Sequence, residues 1–584
     1  EAAERPPLEG GNGVSSTSAI MRREKRRLEL ANLARDPVLL LTVVLVWVAM
    51  FIFILWPLLK LMQAAFVDKG HLSAKALISI LSRPNNRLAL RNSLLLGGLV
   101  ALIGTALGYL FAFTYTRTNI SAFWRGMIDV ACLLPLISPP FTLALAILFA
   151  LGPRGLITYG ILGLKNVNLY GLQGALLAEV LTYFPIAYLT LRGILANVDL
   201  SMEDAAFSLG ASRLRVFLTV TLPLTIPGIA NALLVLFASS LADFASPLIL
   251  SGARFPVLPT QAYLQITGLY DMKGGAALCF LLLVPSLLIF AIQRQWVGKR
   301  SYVTISGKSA ASGDGRLVPP WVSGLLLALC LAISVFVFFL YGSILFGSLV
   351  RAWGANHTFT LENYRYVFTF GRKAIRDTLI IALTAMPIGG IYGILVGYLV
   401  SRKSFPGRSA MEFVSMINYS LPGIIVGIGY LLAFNNPPIA LAGTAWILIA
   451  AYVFRYSATG IRATVATLHQ MDPAIEEAST SLGAGTAVTF RKITVPLIAP
   501  AFFAGLEIMF IRAMTAISAT IFLISVNWTL ITVRILEGAT ELELGHAAGF
   551  SMLVIAIVFI TMGILRWIMR RAGMSEYSAV AQIR

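Results

Sequence analysis

Charge is what this sequence has least of. Asp, Glu, Lys and Arg together make up 12% of its 584 residues, about half the share found in ordinary soluble domains. With 58% of the chain hydrophobic, a water-soluble globule is excluded and a polytopic membrane protein is left. Cysteine is nearly missing: Cys132, Cys279 and Cys330 lie singly in apolar segments and are odd in number, so no disulfide framework follows. His71, His357, His469 and His546 have no thiol or carboxylate at ligand spacing, so no metal centre is expected. No cleavage pattern precedes the first apolar run, which reads as a retained span. A complete phosphate loop is missing too. Gly307-Lys308-Ser309 has Tyr302 where the first glycine is needed, and a membrane span where a strand is needed. The net charge of +19 forms no basic stripe with interleaved aromatics, so no nucleic-acid partner is expected.

What the sequence does have is twelve apolar stretches, each able to cross a bilayer at ~20 residues. They fall at 38–60, 92–116, 127–151, 170–195, 222–250, 275–295, 320–347, 375–400, 412–435, 439–461, 497–525 and 546–569. The predicted fold is all-α, with about 12 transmembrane helices in two parallel six-helix repeats. The expected organisation is a disordered, basic cytoplasmic tail (1–37), a first repeat (38–296), a cytoplasmic linker (297–319), a second repeat (320–571) and a cytoplasmic tail (572–584). Basic residues at Arg117, Arg125, Lys299, Arg300, Arg402, Lys403, Arg408, Arg570 and Arg571 place their loops and both termini inside. The segments 61–91 and 348–374 come out external although they carry Lys69, Lys75, Arg83, Arg365 and Lys373.

The clearest internal repeat is polar. Asp204-Ala-Ala-Phe-Ser-Leu-Gly210, then nine residues and Val220-Thr-Leu-Pro223, recurs as Glu477-Ala-Ser-Thr-Ser-Leu-Gly483, nine residues and Ile493-Thr-Val-Pro496. Each copy sits between two apolar runs, which predicts a short helix and turn on a membrane face. Small residues strip one side of that helix to backbone, the shape of a docking knob. The duplication reaches further: Leu90-Arg-Asn-Ser-Leu94 and Ile375-Arg-Asp-Thr-Leu379 open spans 2 and 8, each with a side chain suited to cap a helix start. Repeats running in the same direction imply a two-fold axis along the membrane normal and a pathway between the halves. Spans 1 and 7 are expected to be peripheral.

The repeated loop resembles the EAA loop, E-A-A-x3-G-x9-I-x-L-P, of membrane subunits of ATP-binding-cassette importers. Asp204 replaces the acid in one copy and Ser479 the second alanine in the other. The resemblance implies a type I ABC importer-like permease fold in a bacterial inner membrane. It makes Asp204, Ala205, Ala206, Gly210, Glu477, Ala478, Ser479 and Gly483 the ATPase-coupling residues. The implied partners are a cytoplasmic ABC ATPase homodimer, which would hold the ATP and magnesium, and a periplasmic substrate-binding protein; this chain itself would bind no cofactor and catalyse nothing. After residue 37 the sequence is similar to the fused two-half ferric-iron permease family, through Leu241-Ala-Asp-Phe-Ala-Ser-Pro247 (A-D-F-G-x-P) and the linker Ser301-Tyr-Val-Thr-Ile-Ser-Gly307. It departs at Met514-Thr-Ala-Ile-Ser-Ala-Thr520, where that family reads closer to K-E-L-P-A-T. Ferric iron is therefore the leading cargo, with an organophosphorus anion (phosphonate or sugar phosphate), thiamine or a polyamine as alternatives.

Ionisable residues inside spans are costly unless paired or facing water. Glu179, Arg455 and Glu507 read first as structural partners of their neighbours. Asp243 and Arg512, at nearly equivalent depths after Pro223 and Pro496, are the candidate pathway residues. A secondary transporter is the more distant alternative, but the repeated feature here is an exposed loop and not a midplane ion site. An intramembrane enzyme would need convergent catalytic groups, and none is visible.

Overall fold

The structure is a computed structural model that describes residues 27, 29–30, 33, 36–165, 167–293, 295 and 318–571. Most of the expected basic tail, nearly all of the 297–319 linker and the 572–584 tail lie outside the described residues. Within a bilayer each backbone amide must find its partner inside the segment, so apolar runs of this length become helices. Ten described helices are long and apolar enough to cross a membrane, eleven when one bent pair is counted as a span. The expected tenth span, 439–461, is the helix Ala445–Gln470; it carries Arg455 and Arg462 and falls short of that apolarity.

The two halves repeat element by element. Each opens with a span, Pro37–Phe66 or Pro320–Ser348, followed by a two-stranded hairpin and a short helix: Val67–Asp68 with His71–Leu72 and Lys75–Ser82, then Val350–Ala352 with Asn356–Phe359 and Glu362–Thr369. These hairpins are the described exceptions to an all-α chain. A long helix follows, Pro84–Arg117 or Arg372–Arg402. The next span, expected as continuous, is broken at proline in both halves. Ala122–Ile137 stops before Pro139-Pro140 and resumes as Thr142–Leu151, and Arg408–Ser420 meets Gly423–Phe434 across Pro422 at a bend of 107°. Proline cannot donate its amide and disfavours helix in the residue before it. The fifth span also ends early. Leu222–Ala242 stops at Asp243 and Val495–Thr515 at Ala516, short of the expected 250 and 525.

Spans 1 and 7 are not merely peripheral, because each crosses to the opposite half. The Tyr430 hydroxyl donates to the Phe53 carbonyl at 2.7 Å, and Phe53 stacks on Phe454 with ring centroids 4.9 Å apart. In the reverse direction, Tyr341 meets the Ser138 hydroxyl at 2.5 Å, and Gly347 lies against the Phe149 ring. Inside each half the long helix approaches its neighbour through small residues. A Cβ on Gly108 would fall 2.5 Å from the Ala187 Cβ, and one on Gly393 would stand 3.5 Å from the Gly460 backbone. Such close approach is how helices associate where lipid supplies no hydrophobic drive.

The expected caps at Asn92-Ser93 and Asp377-Thr378 do not start spans 2 and 8, which begin earlier, at Pro84 and Arg372. They grip other helices. Ser93 Oγ accepts from the Leu258 amide at 2.8 Å, and Asn92 donates to the Pro256 carbonyl at 2.9 Å. In the second half Thr378 Oγ1 accepts from the Ile531 amide at 2.9 Å, and Asp377 accepts from the Thr529 amide at 3.2 Å. Leu258–Thr267 and Ile531–Thr540 are thus each held at their first turn by a side chain from a distant helix.

Candidate coupling loops and pathway residues

Each repeated loop is a self-contained short helix. Asp199 and Asp472 start the two copies, accepting from the Ser201 and Ala474 amides, each at 2.9 Å. The Ser201 amide holds the Asp199 carboxyl below the ordinary carboxylate range. The helices Leu200–Ser208 and Ala474–Ser481 follow, and both end the same way. Gly210 (φ +80°) donates to Phe207 and Ala211 to Ala206; Gly483 (φ +83°) donates to Thr480 and Ala484 to Ser479. This is a Schellman closure, and the left-handed residue it requires is glycine for lack of a Cβ. A Cβ built on either glycine meets nothing within 4 Å, so within this chain the invariance between copies is a backbone requirement.

Beneath each helix lies an acid that precedes the expected motif by one residue. Glu203 accepts from Thr221 at 2.9 Å and lies 3.2 Å from Arg117, with side chains 0% and 5% exposed for Glu203 and Arg117. Burial pushes the Glu203 carboxyl above its ordinary range while Arg117 pulls it back down. The second copy repeats the triad: Glu476 accepts from Thr494 at 2.9 Å and stands 3.7 Å from Arg402. That pair is looser, 12% and 15% exposed for Arg402 and Glu476, and Arg402 also donates to the Leu468 and Met471 carbonyls at 2.8 and 2.9 Å. Both arginines end the long helix of their half. Sequence reasoning missed Glu203 and Glu476; the visible signal was an acid 18 residues before a threonine, behind an arginine-terminated helix.

Of the expected coupling residues, Asp204, Ala205, Gly210, Glu477, Ala478 and Gly483 are exposed and Ala206 is half-buried. Ser479 is buried and bonded to Thr489 at 2.9 Å. The matching first-half positions are apolar, Ala206 and Val216, so that serine and threonine replace an apolar pair by a hydrogen bond. Each loop also presents large apolar side chains to solvent at matching places: Met202 and Ile475, and Leu209 and Leu482, the latter two each 88% exposed.

The pathway candidates sit differently. Asp243, 5% exposed, accepts from the Ala245 and Ser246 amides at 3.0 and 3.2 Å and from the Ser246 hydroxyl at 2.7 Å, capping the short helix Ala245–Leu250. Arg512 is half-buried and makes no hydrogen bond or ion pair among the described residues, so Asp243 and Arg512 are not paired with each other. Glu179 is buried and accepts from Ser240. Glu507 lies 3.5 Å from Arg566, and Arg455 donates to the Asn418 carbonyl at 3.3 Å, both structural contacts.

Fold and loops together define a duplicated, multi-pass membrane protein with one repeated, capped loop helix per half. A sequence profile described as "Binding-protein-dependent transport system inner membrane component" matches residues 104–301 and 389–573, and the chain belongs to that family. It is 35% identical to the ferric transport system permease protein FbpB of Actinobacillus pleuropneumoniae, over 89% of this chain and 76% of that one. It is 23% identical to the Fe(3+)-transport system permease protein FbpB 2 of Haemophilus influenzae, over 82% and 89%. The Escherichia coli molybdenum transport system permease protein ModB is 30% identical over 36% of this chain and 92% of its own length. Among solved structures, a bacterial ABC transporter that imports the acidic polysaccharide alginate matches 47% of this chain and 99% of that chain, at 20% identity and TM-score 0.41.

Proposed function

We propose that the chain is the fused permease of an ATP-driven importer for ferric iron. Iron would be received from a periplasmic binding protein, and the work would be done by a cytoplasmic ATPase pair that carries the ATP and magnesium. The observation that carries this reading is the doubled loop: two copies of one capped helix, each anchored by the same Arg–Glu–Thr triad and each presenting Leu209 or Leu482 outward. An ATPase pair with two-fold symmetry offers two equivalent grooves, and two equivalent knobs fit it. On this reading the loops and both termini face the cytoplasm of the bacterial cell. The ferric relatives, similar over most of both chains, support iron as cargo. The test is reconstitution in vesicles with the cognate ATPase and binding protein. ATP-dependent uptake of ferric iron is expected, and absence of uptake with an intact, ATP-hydrolysing complex would remove iron.

Arg512 favours one alternative. A guanidinium half-buried in a span, with no ion-pair partner among the described residues, attracts an anion. The corresponding cargo is a phosphonate or sugar phosphate. Loss of uptake in Arg512→Gln together with indifference to Asp243→Asn would favour it; the reverse pattern favours the cation.

A further inference from the structure

The long helix of each half is gripped at its last residue and again within two or three turns of its start, at matching positions in the two halves, with the first-half ion pair the tighter and more buried of the two. At one end Arg117 and Arg402 hold the buried acid of the docking loop, Glu203 and Glu476. At the other end Ser93 and Thr378 hold the first amides of Leu258–Thr267 and Ile531–Thr540, and Asn92 and Asp377 hold the backbone two residues earlier. From Ser93 to Arg117, as from Thr378 to Arg402, the helix rises about 36 Å at 1.5 Å per residue. That exceeds the ~30 Å hydrocarbon thickness, so the two grips lie at opposite membrane faces.

We propose that these helices are push rods: Arg117 and Arg402 are positioning residues that deliver displacement of the docking loop, through the helix, to the short helices 258–267 and 531–540 on the far face. Whether displacement is passed on depends on which contacts yield. A loop tied to the bundle only through apolar side chains could slide against it. A buried ion pair cannot, since separating its partners strands a charge away from water. At the far end the amides of Leu258 and Ile531 belong to a first helical turn, which has no intrahelical acceptor for them, so the hydroxyl that takes them is not readily exchanged for another. Between the ends, Gly104 and Gly108 bring the rod against Leu236 and Ala187, and Gly397 brings its counterpart against Thr464, leaving little room for the rod to bend away. Both polar grips are kept in both halves although their chemistry drifts, Asn92 becoming Asp377 and Ser93 becoming Thr378.

The inference rests on the reading that the loops dock an ATPase, and its test separates the two. In the reconstituted complex, ATP hydrolysis is measured with and without the loaded binding protein for Ser93→Ala and Thr378→Val, neither of which touches a loop. About a fivefold loss of stimulation per half is expected from removing one hydrogen bond of the rod, with recovery in Ser93→Thr and Thr378→Ser. A wild-type complex that binds no ATPase sinks the docking reading. A stimulated wild type with equally stimulated Ser93→Ala and Thr378→Val variants sinks the rod. A second readout needs no ATPase: amide hydrogen exchange on the purified chain should quicken at Leu258 and Thr260 in Arg117→Gln, some 36 Å from the lesion by helix rise, and unchanged exchange there would equally overturn the proposal.

Discussion

The Arg117 guanidinium lies 3.2 Å from the Glu203 carboxylate, and neither side chain is more than 5% exposed. One end of this pair terminates a 34-residue helix and the other lies in a nine-residue helix more than eighty positions later. Two further buried atoms, Glu203 Oε2 and Arg117 Nε, find no hydrogen-bond partner among the described residues, so the pair is costly to bury and costlier to break. Arg117→Gln or Glu203→Gln should destabilise the chain by about 3–5 kcal/mol. Glu476→Gln should cost less, about 1 kcal/mol, because Arg402 keeps two carbonyl acceptors and its pair is partly solvated. Thermal unfolding in detergent ranks the three; equal losses in both halves would contradict the asymmetry.

Acidity offers a second check on the same pair. Burial raises the Glu203 carboxyl while Arg117 and, more weakly, the Thr221 hydroxyl oppose that rise, so Arg117→Gln removes the larger opposing influence and lets the carboxyl rise further. A carboxyl raised in the folded state binds its proton more tightly folded than unfolded, so stability is gained as pH falls through the raised value and lost as pH climbs above it. Arg117→Gln should therefore recover part of its lost melting temperature between pH 8 and pH 5. A flat profile for that variant would mean that Glu203 escapes to water when its partner is removed.

The two loop glycines separate backbone strain from docking. Both sit at positive φ with open space around a built Cβ. Gly210→Asn and Gly483→Asn should be tolerated, since Asn visits this region, while Gly210→Val should cost about 1–2 kcal/mol through the backbone alone. Gly210→Glu and Gly483→Glu should still assemble in the membrane yet lose substrate-stimulated ATP hydrolysis. Full stimulation in both glutamate variants would detach these loops from coupling.

Much of this was legible in the sequence because the repeat is spaced identically in both halves and because membrane spans announce themselves by apolar length. The broken spans were not, since Pro139-Pro140 and Pro422 lie inside apolar runs that membrane helices often tolerate. Ser93 and Thr378 were recognised as capping residues but assigned to the wrong helix, because a cap made across some 150 residues leaves no local signature. Glu203 and Glu476 escaped notice for a related reason. The motif drew attention to the acids Asp204 and Glu477, which face solvent, while burial of the preceding acid depends on arginines 86 and 74 residues upstream, Arg117 and Arg402.

The parallel repeat puts both loops on one side of the membrane, and the docking proposed for them makes that side the cytoplasm. Single cysteines at Met202 and Ile475, in a background lacking the buried Cys132, Cys279 and Cys330, should both resist an impermeant thiol reagent added outside intact cells. Both should react once the membrane is opened. Labelling of one loop alone from outside would mean that the halves are not parallel.

Cross-linking reads directly whether the two loops are equivalent docking knobs for one ATPase pair. With Leu209→Cys and Leu482→Cys placed separately in the purified complex, a short bifunctional thiol reagent should join each permease variant to an ATPase subunit carrying a cysteine beside its docking groove, with similar yield from the two loops. A complex that hydrolyses ATP on stimulation by the loaded binding protein, yet gives no cross-link from either loop, would contradict the account.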